Sequence, residues 1–553
     1  MRAPSLRFGA LGARTLSPFP AAVVPARVLW CNFEVARQMG FSVPRENRLS
    51  RRLERQLVEA FSCRAIEAGQ AAGRRAVVTL HCDRYYGSAM GDHAGSARGG
   101  ILLSKNVFLK GIGRTPLAGM GSPRHRDGGL QLVHAIAEAV YGELATRLFS
   151  AGAARVVAIL DQGHTVEVDG GLARAAVIAR CGAPYRPAHL VRQLGEDLSD
   201  LPTLFVKLAR HGGVLVTRDG RPQLADTMRR ILRLHARTAA EQVRWRVLHG
   251  ALSTSNMGLF GEMLDVWLMT TQDRTAPMHA ARQRRRDAVF GWEHLSRVPH
   301  LHAMFLCVTE SLTPERRSAL GADGLDCVAE FHRCYEEELS IQLLKAAGFD
   351  ETLALRVRSH HPPVVGRFVQ VLSRLMALRN PGTLDARTAT GRGISVVDVF
   401  RLLSLLPRRY LRRPEADHTE VVRTLARIQV SGTMARRRRT REVAQRHLDR
   451  LTRAYGEVMA AARLVTAGDS EKWRTVCDAM CSRAEHGHVP LHAYRRARLL
   501  SRISSLVRQY SDRGQQYPRR VQAFIDGILA HNPVGSAALD GMTRRGVEVC
   551  GRR

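Results

Sequence analysis

A chain of 553 residues, 45% hydrophobic and 24% charged, can bury one large core or two medium ones and does not have the composition of a disordered protein. Its formal charge of +34 would suit a nucleic-acid partner, but nearly all the basic residues are arginines spread along the whole chain. Aromatic residues make up only 6%, so a solvated basic surface is expected and nucleic acid is not.

The lysines are few: Lys105, Lys110, Lys207, Lys345 and Lys472. No apolar run approaches the roughly 20 residues that span a bilayer. The ten cysteines lack the dense spacing of secreted disulfide scaffolds. Met1 to Ala22 has no acids, as in a transit peptide, yet it has no apolar core for secretion, so a cytoplasmic location is expected.

In chain order, Ala76 to Cys82 (AVVTLHC) and Ile101 to Lys110 (ILLSKNVFLK) read as two strands flanking a glycine-rich turn. Leu130, Val133, Ile136, Ala137, Val140, Leu144 and Leu148 then recur at helical spacing, which predicts a helix of about five turns. Glu138 and Glu143 lie off the centre of its apolar stripe. Arg155 to Leu160, a turn at Asp161-Gln162-Gly163, and Thr165 to Val168 predict a hairpin, and Ala175 to Arg180 a further strand. Beyond about residue 200 the periodicity is mostly helical, apart from loops and short strands over Val247 to Thr270. The run Arg436 to Arg439 reads as an exposed helix face, and His360-His361-Pro362-Pro363 as a helix break.

A small sheet-rich lobe carrying one helix, followed by a larger helical lobe, is an α+β class arrangement with the outline of a protein-kinase-like bilobal fold. The expected division is an N-terminal extension over 1–74, an N-lobe over 75–200, and a helical C-lobe with its tail over 201–553.

A nucleotide site in such a fold needs four things: backbone amides near phosphate, a lysine for phosphate charge, an acid to hold the lysine, and Asn/Asp oxygens for a metal. Gly91 to Gly100 (GDHAGSARGG) offers the first, because glycine lets a backbone approach phosphate closely. Lys110 ends an apolar strand, and Glu138 lies on the helix that follows. In HGALSTSNMGLFGEMLD (His249 to Asp265), Asn256 and Asp265 offer hard oxygens suited to Mg or Mn. Cys477 and Cys481, with His486, His488 and His492, lack a standard zinc spacing and read as core cysteines beside surface histidines.

Taken together, LKGIGRTP (Leu109 to Pro116), Asp127-Gly128-Gly129, an acid-bearing helix, HGALSTSNM and Asp265 resemble, in the same order, the motifs of the SelO family of protein adenylyltransferases. ARVLWCNFEVARQMGF (Ala26 to Phe41) is similar to the family's amino-terminal segment. NPVGS and GVEVC, within Asn532 to Cys550, are similar to its tail. The resemblance implies a kinase fold that holds ATP flipped, so that AMP is transferred. By position, Lys110 would contact phosphate with Glu138 holding it, Asn256 and Asp265 would bind the metal, and Asp127 and Gly128 would line the nucleotide site. Arg180 and Arg186 would grip the γ-phosphate, and Arg98 would match the glycine-loop arginine.

The chain departs from the family pattern in several places. The segment between Lys110 and Asp127 is longer, Gly129 replaces an arginine, and Ser255 stands where the family's aspartate base would be. Cys550 has no evident partner for a redox lock. A serine hydroxyl is no base at neutral pH, whereas a carboxylate acceptor is already ionised and needs none. The leading expectation is therefore an ATP- and Mg- or Mn-dependent AMP transfer to a protein or peptide acceptor, with a carboxylate favoured; the chain is also similar to the family's MchC-type microcin-maturation branch. The alternatives are AMP transfer to protein Ser, Thr or Tyr, and a catalytically inactive basic scaffold.

Overall fold

The computed structural model describes residues 6–67, 69, 73–85, 97–118, 128–168, 171–192, 197–271, 292–377, 403, 406–407, 438–466, 470–487, 494–509 and 516–530. Asp127, residues 91–96 of the glycine-rich stretch, His488, His492 and the tail motifs from Asn532 to Cys550 lie outside them.

Ten strands come first in the chain: β1 (Leu16–Val23), β2 (Arg27–Cys31), β3 (Cys63–Ala65), β4 (Val77–Asp83), β5 (Gly99–Leu102), β6 (Val107–Lys110), β7 (Arg155–Asp161), β8 (Thr165–Val168), β9 (Gly171–Arg174) and β10 (Val177–Cys181). Eight of them form one sheet in the order β2-β7-β10-β6-β5-β4-β1-β3, antiparallel throughout. Pro18 and Pro20 sit within β1, where a missing N–H normally breaks a ladder. The carbonyl of Pro20 accepts from Ile66, on the side away from β4, and β3 pairs with β1 only from Ala21 onward. The two prolines therefore share the parity that faces away from β4, on the side that β3 pairs only from Ala21 onward.

Alternation along the strands sorts side chains to two faces. Val107, Leu109, Val177 and Ala179 pack with α1 (Phe33–Gln38) and α2 (Arg51–Phe61), whereas Ile178 and Ala176 pack on α3 (Leu132–Leu148). Phe108, Lys110, Ile178 and Arg180 share the α3 face, since Lys110 lies opposite Ile178 and Phe108 opposite Arg180.

The rest of the described chain is largely helical: α4 (Leu201–His211), α5 (Leu224–Trp245), α6 (Trp292–Leu295), α7 (Val298–Glu310), α8 (Pro314–Ala319), α9 (Cys327–Ala346), α10 (Glu351–His360), α11 (Pro362–Ala377), α12 (Arg438–Val465), α13 (Ser470–Gly487), α14 (Arg496–Arg508) and α15 (Tyr517–Ala530). Met228, Ile231, Ala239 and Val243 of α5, three, eight and four residues apart and so on one helix face, bury against Phe331, Cys334 and Leu343 of α9. The break expected at His361 separates α10 from α11. Val247–Leu248 pairs with Thr270–Thr271, which closes off the loop that holds Asn256 and Asp265.

Three expectations are corrected. Ile101 to Lys110 is not one strand but two, β5 and β6, joined by a tight turn through Ser104-Lys105-Asn106. Asn106 takes the left-handed conformation (φ 54°) and its side chain bonds Phe8 N and Leu6 O, both at 2.9 Å. Arg155 to Val168 is not a hairpin either: β7 pairs with β2 and β10, while β8 pairs with β9. Asp161 turns the chain away, accepting from Gly163 N and pairing with Arg174, each at 2.8 Å.

The third correction concerns the boundary at residue 74, which cuts through the sheet. The first 74 residues supply β1, β2 and β3, and α14 and α15 from the far end cover α3 and β2. Trp30 donates to Asp526 at 3.2 Å, Cys31 N to Gln522 at 2.9 Å, and the Tyr141 hydroxyl to Tyr494 O at 2.8 Å. This cover explains why α3 is apolar nearly all round and why Glu138 and Glu143 are buried rather than flanking an exposed face. Among the described residues, no helix is long and apolar enough to cross a membrane.

Candidate functional site

Where the sheet meets the helical body, side chains from four segments converge. Lys110, the last residue of β6, donates to Glu138 Oε2 of α3 at 2.8 Å and also to Asp265 Oδ1. Arg180 of β10 donates to Glu138 Oε1 at 2.5 Å and to Asp265 Oδ1 at 2.8 Å. Lys110 and Arg180 thus share the same two carboxylates.

Arg186, on the loop after β10, places Nη1 3.8 Å from Asp265 Oδ2 and donates to the Ser255 carbonyl. All of these side chains are buried except that of Asp265, which keeps 18% of its surface exposed. The opening of the site therefore lies at Asp265.

Burial favours a neutral Lys110 and lowers its pKa, against the pull of Asp265 and Glu138. Burial also disfavours the charge of Arg180, but the same two carboxylates outweigh it and raise its pKa above the ordinary value. For Asp265 burial acts upward, yet Lys110, Arg180 and Arg186 together hold its pKa well below the usual carboxylate range. Asp265 is ionised, and three cations surround it.

The loop from His249 to Asp265 is held by its own backbone and by buried polar side chains. His249 Nε2 donates to Leu264 O at 2.6 Å, so its Nδ1 is free to accept from Ala251 N at 3.3 Å. Leu264 N donates to Asn256 O at 3.2 Å, which sets Asn256 beside the residue preceding Asp265. Asp265 itself is left-handed (φ 53°), and this turns its carboxylate back toward Lys110.

The Nδ2 of Asn256 donates to Ala251 O at 2.9 Å, leaving Oδ1 as the hard donor of that side chain. Ser253 and Ser255 share a hydroxyl hydrogen bond of 3.0 Å. Beneath the loop, Glu293 of α6 accepts from His249 N at 2.7 Å and Gly250 N at 2.8 Å.

Two glycines in the matched motif are required by space. A Cβ on Gly128 would lie 1.9 Å from Gly113 C, and one on Gly111 would lie 2.4 Å from Ala176 O; both residues have positive φ. Arg98 Nη1 donates to Gly129 O at 3.1 Å, which ties the end of the glycine-rich stretch to the segment at Gly128.

The structure thus brings together Lys110, Glu138, Arg180, Arg186 and Asp265, sets Asn256 next to them in the same loop, and places Arg98 and Gly128 side by side. Asp127 is outside the described residues. Four contributors were missed in the sequence: Asp83, His189 and Tyr85 around Arg186, and Glu293 under the loop. Asp83 carried a faint signal as the polar end of an apolar strand just before the glycine-rich stretch, whereas Glu293 carried none. Cys477 is buried within α13, and its thiol is pushed up to about 12 by burial. Among the described residues no group of three or more His, Cys, Asp or Glu could hold a metal ion. No family model matches the chain, and no curated protein matches it significantly.

Proposed function

We propose that this chain is an ATP- and Mg- or Mn-dependent nucleotidyltransferase of protein-kinase-like bilobal architecture, similar to the SelO family, which transfers AMP to a protein or peptide acceptor. The observation that carries this reading is the meeting of Lys110, Arg180 and Arg186 around Asp265 at the one partly open edge of the cluster. The three cations are matched by the carboxylates of Glu138, Asp265 and Asp83, so a polyphosphate arriving with a divalent ion for Asp265 would find Lys110, Arg180 and Arg186 already gathered to receive its charge.

The donor set fits a hard divalent ion, because the Asp265 carboxylate and the Asn256 amide oxygen supply oxygens. Such an ion takes the rest of its shell from phosphate and water, so a three-residue cluster is not needed. Asn256 and Asp265 would hold it, and it would supply neutralisation of phosphate charge. Lys110, oriented by Glu138, would stabilise charge on the pyrophosphate that leaves as the acceptor oxygen bonds the α-phosphorus and the bond to the bridging oxygen breaks. Arg98 and Gly128 would border the nucleotide.

A carboxylate acceptor is favoured by the state of Ser255. Its hydroxyl is engaged by Ser253 and its carbonyl by Arg186, so the position offers no proton acceptor to an attacking hydroxyl.

The test is pyrophosphate release from ATP with Mg or Mn, given peptides with free or amidated carboxyl ends, together with mass spectrometry for AMP adducts. Release that depends on a free carboxylate, and that is lost in Lys110→Ala and Asp265→Ala, is expected. AMP found on Ser, Thr or Tyr, with Ser255→Asp raising activity, would replace the carboxylate reading. Absence of both turnover and any thermal shift with Mg-ATP would leave a scaffold.

A further inference from the structure

We infer that Asp83 and His189, neither of which the nucleotide reading places against the ligand, form a buried clamp that sets Arg186 on the Ser255 carbonyl and thereby positions the Asn256–Asp265 loop. The inference rests on the proposed nucleotide site.

The geometry fixes the chemistry of the clamp. His189 Nδ1 accepts the backbone N–H of Arg186 at 3.1 Å, so that nitrogen carries no proton. Nε2 must then carry the hydrogen, and it lies 3.0 Å from Asp83 Oδ2, to which it donates. Both side chains are fully buried, and burial lowers the pKa of His189, in keeping with a neutral ring of fixed tautomer.

The same Asp83 oxygen lies 3.6 Å from Arg186 Nε, and the guanidinium is flanked by the rings of Tyr85 at 5.4 Å and Phe108 at 5.6 Å. Held on its Nε side, Arg186 presents Nη1 to the Ser255 carbonyl and toward Asp265. Asp83 ends β4, Arg186 follows β10, and Ser255 precedes Asn256. The clamp therefore ties two points of the sheet layer to the loop that carries the metal-type donors. Asp83 and His189 touch neither nucleotide nor metal; they are positioning residues.

The variants Asp83→Asn, His189→Leu and His189→Gln test this. Asparagine keeps the shape and one acceptor but removes the charge opposite Arg186; leucine removes the donor to Asp83; glutamine can place an amide N–H near the site of Nε2. Titrations with Mn²⁺ on the ATP-saturated protein, and with ATP in the absence of metal, are compared with the exchange of backbone amides over residues 253–256.

Expected for Asp83→Asn and His189→Leu is an Mn²⁺ dissociation constant raised at least ten-fold, metal-free ATP affinity changed less than three-fold, and faster amide exchange at 253–256. His189→Gln is expected to recover most of the loss. Wild-type Mn²⁺ affinity and wild-type exchange in both disruptive variants would overturn the clamp, as would equal losses in metal-free and metal-bound ATP affinity. Failure of the wild-type protein to bind ATP under either condition would instead overturn the nucleotide site, and the exchange measurement would still report whether the clamp holds the loop.

Discussion

At the scale of single residues, the cluster is an arrangement in which each charge depends on the others. A buried ion pair gains little over a well-packed apolar pair, but removing one partner strands the remaining charge at about 3–5 kcal/mol. Asp265, like Glu138, accepts from both Lys110 and Arg180, and it holds the cations that a triphosphate would need. Asp265→Asn is therefore expected to lower the melting temperature of the free protein, yet to give a larger thermal shift with ATP alone, without metal, than the wild type. A smaller shift would show that phosphate and Asp265 do not compete for the same groups.

Gly128 makes a complementary case. A methyl there meets the Gly113 backbone and must adopt a positive φ, so Gly128→Ala is expected to cost about 3 kcal/mol in chemical denaturation. The lysine, the two acids and the Asn were legible in the sequence because each is the required residue type in the required order. Asp83 and Glu293 were not, because their partners lie 106 and 44 positions away; His189 sits three residues from Arg186, but what fixes its role is the remote Asp83.

Elements add a pH dependence that the residues do not show separately. On α5, His235 donates Nε2 to Leu259 O at 3.1 Å, and burial lowers its pKa to about 4. On α6, His294 bonds Gln242 Oε1 at 2.9 Å and is likewise pulled well below its usual range, by burial first. In the loop between Asn256 and Asp265, burial raises Glu262 to about 7.

The two signs oppose each other. Between about pH 4 and 6.5 the unfolded chain binds the proton that folded His235 refuses, so this residue makes stability fall as pH falls, by about 3 kcal/mol at most. Glu262 keeps its proton in the fold up to about pH 7 while the unfolded chain gives it up near 4.5, so its contribution is lost as pH rises through that window. Glu262→Gln is expected to steepen the acid-side loss measured by urea denaturation between pH 4 and 7. An unchanged profile would show that Glu262 is not protonated in the fold.

Element types were legible wherever the period was long and clean, as in the helix over Leu132–Leu148. Pairing was less legible. The polar trio Ser104-Lys105-Asn106 was the signal for the β5–β6 turn, hidden because apolar residues on either side continue without a break. The prolines of β1 masked a strand that is permitted because their ring nitrogens face away from β4.

For the whole molecule, the sheet layer is completed by chain from both ends. Tyr517, Val521, Ile525 and Ile528 of α15 are buried with Leu29, Trp30, Ile136 and Val140 in one cluster. Ile525→Ala is expected to cost about 3 kcal/mol, at the level of a core truncation and not of a dispensable tail. Calorimetry on that variant is expected to show a single lowered transition for the sheet layer and α15 together. Two separated transitions would mean that the terminal helices dock on a sheet already stable by itself.

The pairing of Cys31 with Gln522 spans 491 positions, and that of Tyr141 with Tyr494 spans 353. A ribosome adding about 5–20 residues per second releases β2 and the outer surface of α3 tens of seconds before their cover exists. Through that interval Trp30, Val140 and Leu144 stand as bare sticky patches on a nascent polypeptide, an exposure that a fold finished from its first two hundred residues would not have.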